Sequence, residues 1–139
     1  MVNVIDKERQ ALDPALKSLL KTTSSDDNRF LYCTQCSHLL ARAADATEIA
    51  GSHHHFCTNP HGIDFDVYCY SEALGSTISG PPTGADSWFA GHTWRFATCT
   101  GCTTHLGWLF ETAAGHDSPT HFYGLIADRF QIDGDKSAG

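Results

Sequence analysis

Two C-x-x-C pairs, Cys33-Thr34-Gln35-Cys36 and Cys99-Thr100-Gly101-Cys102, limit what this chain can fold into more than any other feature. Each pair sets two sulfurs on one tight turn, close enough for both thiolates to reach a single ion at ~2.3 Å. Gly101 suits a turn whose backbone N–H groups point at sulfur. Sixty-two residues separate the pairs, so a shared metal closes a long loop and ties two distant hairpins together. Four identical soft ligands leave no open coordination position. The spacing therefore predicts a structural Zn2+ site on Cys33, Cys36, Cys99 and Cys102. The alternative is a pair of redox-active or metal-free dithiols. A metal site is favoured over a disulfide framework, because the start MVNVIDKERQ has no apolar leader of the kind that accompanies export. The same observation gives the expectation of a cytoplasmic protein. Cys57 and Cys69 lie outside the pattern and are expected to be small buried apolar residues.

A chain of 139 residues suffices for one core, and a metal would replace part of the core that so short a chain cannot build. The formal net charge of -7, with no cluster of Lys or Arg, argues against a nucleic-acid partner. No stretch approaches the ~18 apolar residues of a spanning helix, so no membrane partner is expected.

Residues 1–28 read as an extension. Asp13-Pro14 starts a short helix with Leu16, Leu19 and Leu20 on one face, and Thr22–Asn28 forms a linker. From Arg29 to residue 130, aromatic and β-branched runs alternate with turn residues. Strands are expected at Arg29–Cys33, Phe65–Tyr70, Thr93–Thr98, Gly107–Glu111 and His121–Ile126. Turns are expected at Asn59–Gly62 and Gly80–Gly84, and His53-His54-His55 reads as an exposed loop tip. Residues 131–139 have little to bury and should fray. The result is a mainly β, mostly antiparallel domain of ~100 residues.

Trp88, Trp94 and Trp108 are all the tryptophans, and they gather around the second cysteine pair. By the period of two, Trp94 and Phe96 share a strand face, as do Trp108 and Phe110. These strands enter and leave one metal knuckle, which brings the two faces together. Trp88 can fold over from the side. The three indoles can simply be core. They can also wall a cage for a small flat ring, with backbone groups giving orientation, or for a cation.

With these residues in view, the chain resembles the thalidomide-binding domain of the cereblon family, the CULT domain, over about Phe30–Arg129. The resemblance rests on Cys33-x-x-Cys36, Asn59-Pro60-His61-Gly62 and Ser87-Trp88-Phe89-x-Gly91-x-x-Trp94. It continues in Cys99-x-x-Cys102-x-x-His105-Leu106-Gly107-Trp108-x-Phe110 and Phe122-x-Gly124-Leu125. It implies a β-tent fold, two small antiparallel sheets pinned by a zinc. It also implies a pocket walled by Trp88, Trp94 and Trp108 with Phe110 at its back, taking cyclic imides such as glutarimide, uracil-like rings or cyclised protein chain ends. By that analogy the imide N–H goes to the backbone C=O of Asp86, and one imide C=O accepts from the Trp88 N–H. Ser87 belongs to the same segment, and Asn59 and Pro60 form the opposite lip. Asp86 stands where vertebrate members have His. The Lon-like and helical-bundle regions that join cereblon to a ubiquitin ligase are not in this sequence, so a stand-alone, bacterial-type binding module without ligase-adaptor regions is expected, and not an enzyme.

Two other readings stay open. A B-type methionine sulfoxide reductase shares the fold and a similar Cys99–Gly107 stretch, but its nucleophilic Cys follows the second pair, and no Cys follows Cys102 here. A Yippee-type protein-interaction module shares the paired cysteines and the Leu-Gly-Trp stretch. Imide hydrolysis would need a base near the ring, for which His92, His105 and Asp86 are candidates by position alone.

Overall fold

The computed structural model describes residues 28–113 and 120–133, and the expected helix at Asp13–Lys21 lies outside them. The described residues form two antiparallel sheets with two short 3-10 turns, Ala43–Asp45 and Ala127–Arg129, between strands. The strands in chain order are β1 (Phe30–Cys33), β2 (Leu39–Arg42), β3 (His54–Thr58), β4 (Asp64–Tyr70), β5 (Ser76–Thr83), β6 (His92–Cys99), β7 (His105–Thr112), β8 (His121–Ile126) and β9 (Phe130–Ile132). One sheet is ordered β2-β1-β9 and the other β3-β4-β8-β7-β6-β5.

The pattern of β7 explains its central place. His-Leu-Gly-Trp-Leu-Phe is nearly continuous in apolar residues, and Leu106 to Phe110 are buried, as a strand covered on both faces requires. One face of the large sheet carries Tyr70 and Leu125. They pack with Leu31, Leu40 and Ala41 of the small sheet around Cys33 and Cys99. The other face carries Val67, Cys69, Trp108, Phe110, Phe122 and Ile126, closed by Phe89 from the β5–β6 connection. The register puts Trp94 opposite Phe110 and Phe96 opposite Trp108, so all four rings share that second face, as the period of two predicts.

β7 and β8 meet very closely. A Cβ added at Gly107 would lie 1.9 Å from the Gly124 carbonyl oxygen, and one at Gly124 would lie 2.7 Å from a Val67 methyl. Substitution Gly107→Ala is therefore expected to destabilise the domain by about 3 kcal/mol or more. Chemical denaturation checks this, and an unchanged midpoint would contradict the close approach.

Several expectations are corrected. Gly80-Pro81-Pro82-Thr83 is not a free turn but lies within β5. The strand stays on the sheet edge because the register shifts between Ser79 and Thr83 and Gly80 takes φ +84°. The His triplet is not a loop tip: His54 and His55 open β3, and the rings of His53 and His55 bond to the carbonyls of Thr47 and Ile49. Gln131 and Ile132 pair with β1 as part of β9, and Phe30 N–H donates to the Asp133 carboxylate. Strand β2, Leu-Leu-Ala-Arg, consists of good helix formers, and its extended state is imposed by pairing with β1.

Candidate functional site

The β1–β2 and β6–β7 turns are built alike. In each, the first cysteine's N–H donates five residues on, Cys33 to the His38 carbonyl and Cys99 to that of Thr104. Ser37 and Thr103, at matching places, both take φ near +65°. The Gln35 and Gly101 amides donate to the sulfurs of Cys33 and Cys99 at 3.4 and 3.3 Å.

The four Sγ atoms lie within 4.8 Å of one another. Cys33 and Cys102 are 3.7 Å apart, and Cys36 and Cys99 3.6 Å. A disulfide needs ~2.05 Å, whereas four sulfurs at ~2.3 Å from a tetrahedral centre stand ~3.8 Å apart. The cluster thus fits one tetrahedral thiolate-bound ion and does not fit disulfides. Cys33 ends a strand of the small sheet and Cys99 one of the large sheet, so the cluster joins the two. Hydrogen bonds from the Thr104 hydroxyl and amide pull the Cys102 thiol down to about 6.

On the aromatic face of the large sheet a cavity of about 410 Å³ opens. Its lining includes Asn59, Pro60, Asp86, Trp88, Trp94, Trp108 and Phe110, which the sequence singled out, and also His61, Phe65, Phe96 and His105. Trp88 and Trp108 meet edge to face at 4.7 Å and 84°. Trp94 stands against Phe96 at 5.2 Å, and Phe65 against Trp108 at 5.4 Å. Two walls are fixed by their indole N–H groups: Trp88 donates to the Thr58 carbonyl at 3.0 Å and Trp94 to that of Ala85 at 2.8 Å. Phe110, at the back, is 1 % exposed.

Ser87 is not in the lining. Its hydroxyl donates to the Phe89 carbonyl and accepts from the Phe89 N–H, which folds the segment carrying Asp86 and Trp88. Asp86 takes φ +59°, a left-handed conformation that Asp tolerates better than most residues. On the opposite lip the Asn59 carboxamide oxygen accepts from the amides of His61 and Ile63, an Asx turn that holds Pro60 out. Residues Gly80–Gly84 do not line the cavity. Phe65 was legible only as a strand residue. It reaches the site because β4 pairs with β8, a long-range neighbour that periodicity does not reveal.

Among the described residues, neither the Asp86 carbonyl nor the Trp88 N–H has a hydrogen-bond partner. The lining therefore combines apolar π walls with Asp86 and Trp88, whose backbone carbonyl and N–H are left open by the rest of the described residues. His105 Nε2 bonds to the Gly107 carbonyl at 2.8 Å, so that nitrogen carries the hydrogen. Burial lowers its pKa from 6.5, against a smaller raising effect of the Gly107 bond, so the ring is neutral at pH 7. A group depressed below its unfolded value contributes stability above pH 6.5, and that contribution is lost as pH falls through its folded pKa. An NMR titration should place the His105 midpoint below 6.5. A midpoint above it would contradict the burial found here. His92 does not line the cavity.

Comparison with known proteins decides the family. No family model matches the chain. Protein cereblon of Gallus gallus is 31% identical over 129 residues, covering 82% of this chain and 29% of that protein. Protein cereblon of Danio rerio is 30% identical over 101 residues, 66% of this chain and 23% of the relative. The chain carries a cereblon-like (CULT) domain. Protein cereblon of Xenopus tropicalis is 29% identical over 108 residues, 70% of this chain and 24% of that protein. The chain thus spans about a quarter of the length of these relatives. The two antiparallel sheets and the four-cysteine cluster are those expected of a cereblon-like domain. Among its described residues, no helix is long and apolar enough to cross a membrane.

Proposed function

We propose that this cereblon-like domain binds small cyclic imides and uracil-like rings in the tryptophan cage, on a scaffold held by a structural Zn2+ at Cys33, Cys36, Cys99 and Cys102. The observation that carries the reading is the unpartnered pair formed by the Asp86 carbonyl and the Trp88 N–H beside the aromatic walls. A cyclic imide presents an N–H flanked by carbonyls on a flat ring. It satisfies both backbone groups while its faces lie against indoles. Zinc fits the donor set, four thiolates with tetrahedral spacing and no open position, and when bound it supplies structure and no catalysis.

Two observations speak against the sulfoxide-reductase reading. Burial pushes the Cys69 thiol up to about 12, and Cys69 is 0% exposed, so it offers no thiolate at neutral pH. Cys57 is also raised by burial.

The first test is a titration with thalidomide and with uracil, followed by intrinsic tryptophan fluorescence. Saturable quenching in the micromolar range is expected. Flat titrations with both, on protein holding one zinc per chain, would overturn the reading in favour of a protein-interaction module.

A further inference from the structure

The cage carries a charge that the neutral-ring reading does not use. Asp86 is the one acidic residue of the lining, and its carboxylate makes no hydrogen bond or ion pair among the described residues. No Lys or Arg lines the cavity. The remaining ionisable residues there are His61 and His105, and the latter is kept neutral by burial. The rest of the chain adds to the field, with a formal net charge of -7. Indole faces attract a cation through their quadrupole, and an unpaired carboxylate at the same cavity attracts it further.

We infer that the preferred ligand is a cyclic imide bearing a free ammonium group on the ring carbon next to a carbonyl. This rests on the imide-binding reading above and deepens it. With the imide N–H on the Asp86 backbone carbonyl, such a substituent sits three bonds from the imide nitrogen, near the residue that also carries the carboxylate. The same charge discriminates between ligand sources. A cyclised residue at the end of a protein chain has its nitrogen acylated and neutral, so the carboxylate gains nothing from it. A free amino-imide keeps its positive charge. The site thereby favours a free small molecule over a cyclised chain end.

The experiment uses the full zinc-loaded chain and calorimetry at pH 7. The ligands are 3-aminopiperidine-2,6-dione, its 3-hydroxy and 3-acetylamino analogues, and unsubstituted glutarimide. The amino compound should bind about tenfold more tightly than the hydroxy and acetylamino compounds at low salt. That ratio should shrink as salt is raised and collapse to about one in Asp86→Asn, a side chain that also tolerates the left-handed backbone. Glutarimide binding with equal affinities for the three substituted rings would overturn the inference and leave imide binding standing. A ratio that survives in Asp86→Asn would overturn it too, because the indoles alone would then hold the charge. Absence of binding by every ring would overturn both.

Discussion

Replacing Trp94 by alanine should weaken ring binding by about 30-fold or more, while the protein still holds one metal ion per chain. Trp94 suits this test better than its neighbours. It is only partly buried and packs on the rim of the aromatic cluster, whereas Trp108 is 8 % exposed and lies within it. Truncating Trp108 would also open a core cavity, at about 3–5 kcal/mol of stability. The loss at Trp94 has two sources. One π wall disappears, and the Ala85 carbonyl loses the indole N–H that anchors the segment leading to Asp86 and Trp88. Affinity by calorimetry and zinc by elemental analysis, on the same sample, check both halves. Affinity within threefold of the unaltered protein would mean that the tryptophans are core and the cage is not a binding site.

Stripping the metal should unfold the domain. Cys33 and Cys99 are 0 % and 1 % exposed and belong to the core between the sheets, so the cluster is part of the packing. Structural zinc contributes an apparent ~10–16 kcal/mol at pH 7, against a net stability of ~5–15 kcal/mol for a typical domain. A strong chelator, or Cys99→Ser, is therefore expected to abolish the near-ultraviolet circular dichroism of the packed tryptophans and the cooperative thermal transition. A chelated protein that melts as before would show that the thiols are not holding a structural ion.

How much of this was legible in the sequence follows from the range of each signal. The cysteine turns are local: spacing alone dictates where two sulfurs go, and the pairs did converge. Alternation told which face Trp94, Phe96, Trp108 and Phe110 share, because the strand period is fixed. Strands β2 and β9 stayed hidden, since Leu-Leu-Ala-Arg carries no strand pattern and Phe-Gln-Ile, though alternating, is only three residues long; both pair with β1, which lies between them. Gly80-Pro81-Pro82 read as a turn because its composition is that of one, yet a sheet edge accepts proline where no ladder hydrogen bond is required. His61 entered the cavity through the turn between β3 and β4, and Phe65 through the pairing of β4 with β8. The open backbone pair at Asp86 and Trp88 could be named only by resemblance, because hydrogen-bond partners are invisible until the fold is known.

In the proposed function, a cyclic ring is read by its N–H through the Asp86–Trp88 segment. Calorimetric titration of the zinc-loaded protein with glutarimide, beside N-methylglutarimide, tests it most directly. The two rings share shape and apolar surface, and only the first can donate to the Asp86 carbonyl. Saturable binding of glutarimide and loss of binding on N-methylation are expected. Equal binding of both would contradict it, because the walls alone would then be doing the recognition.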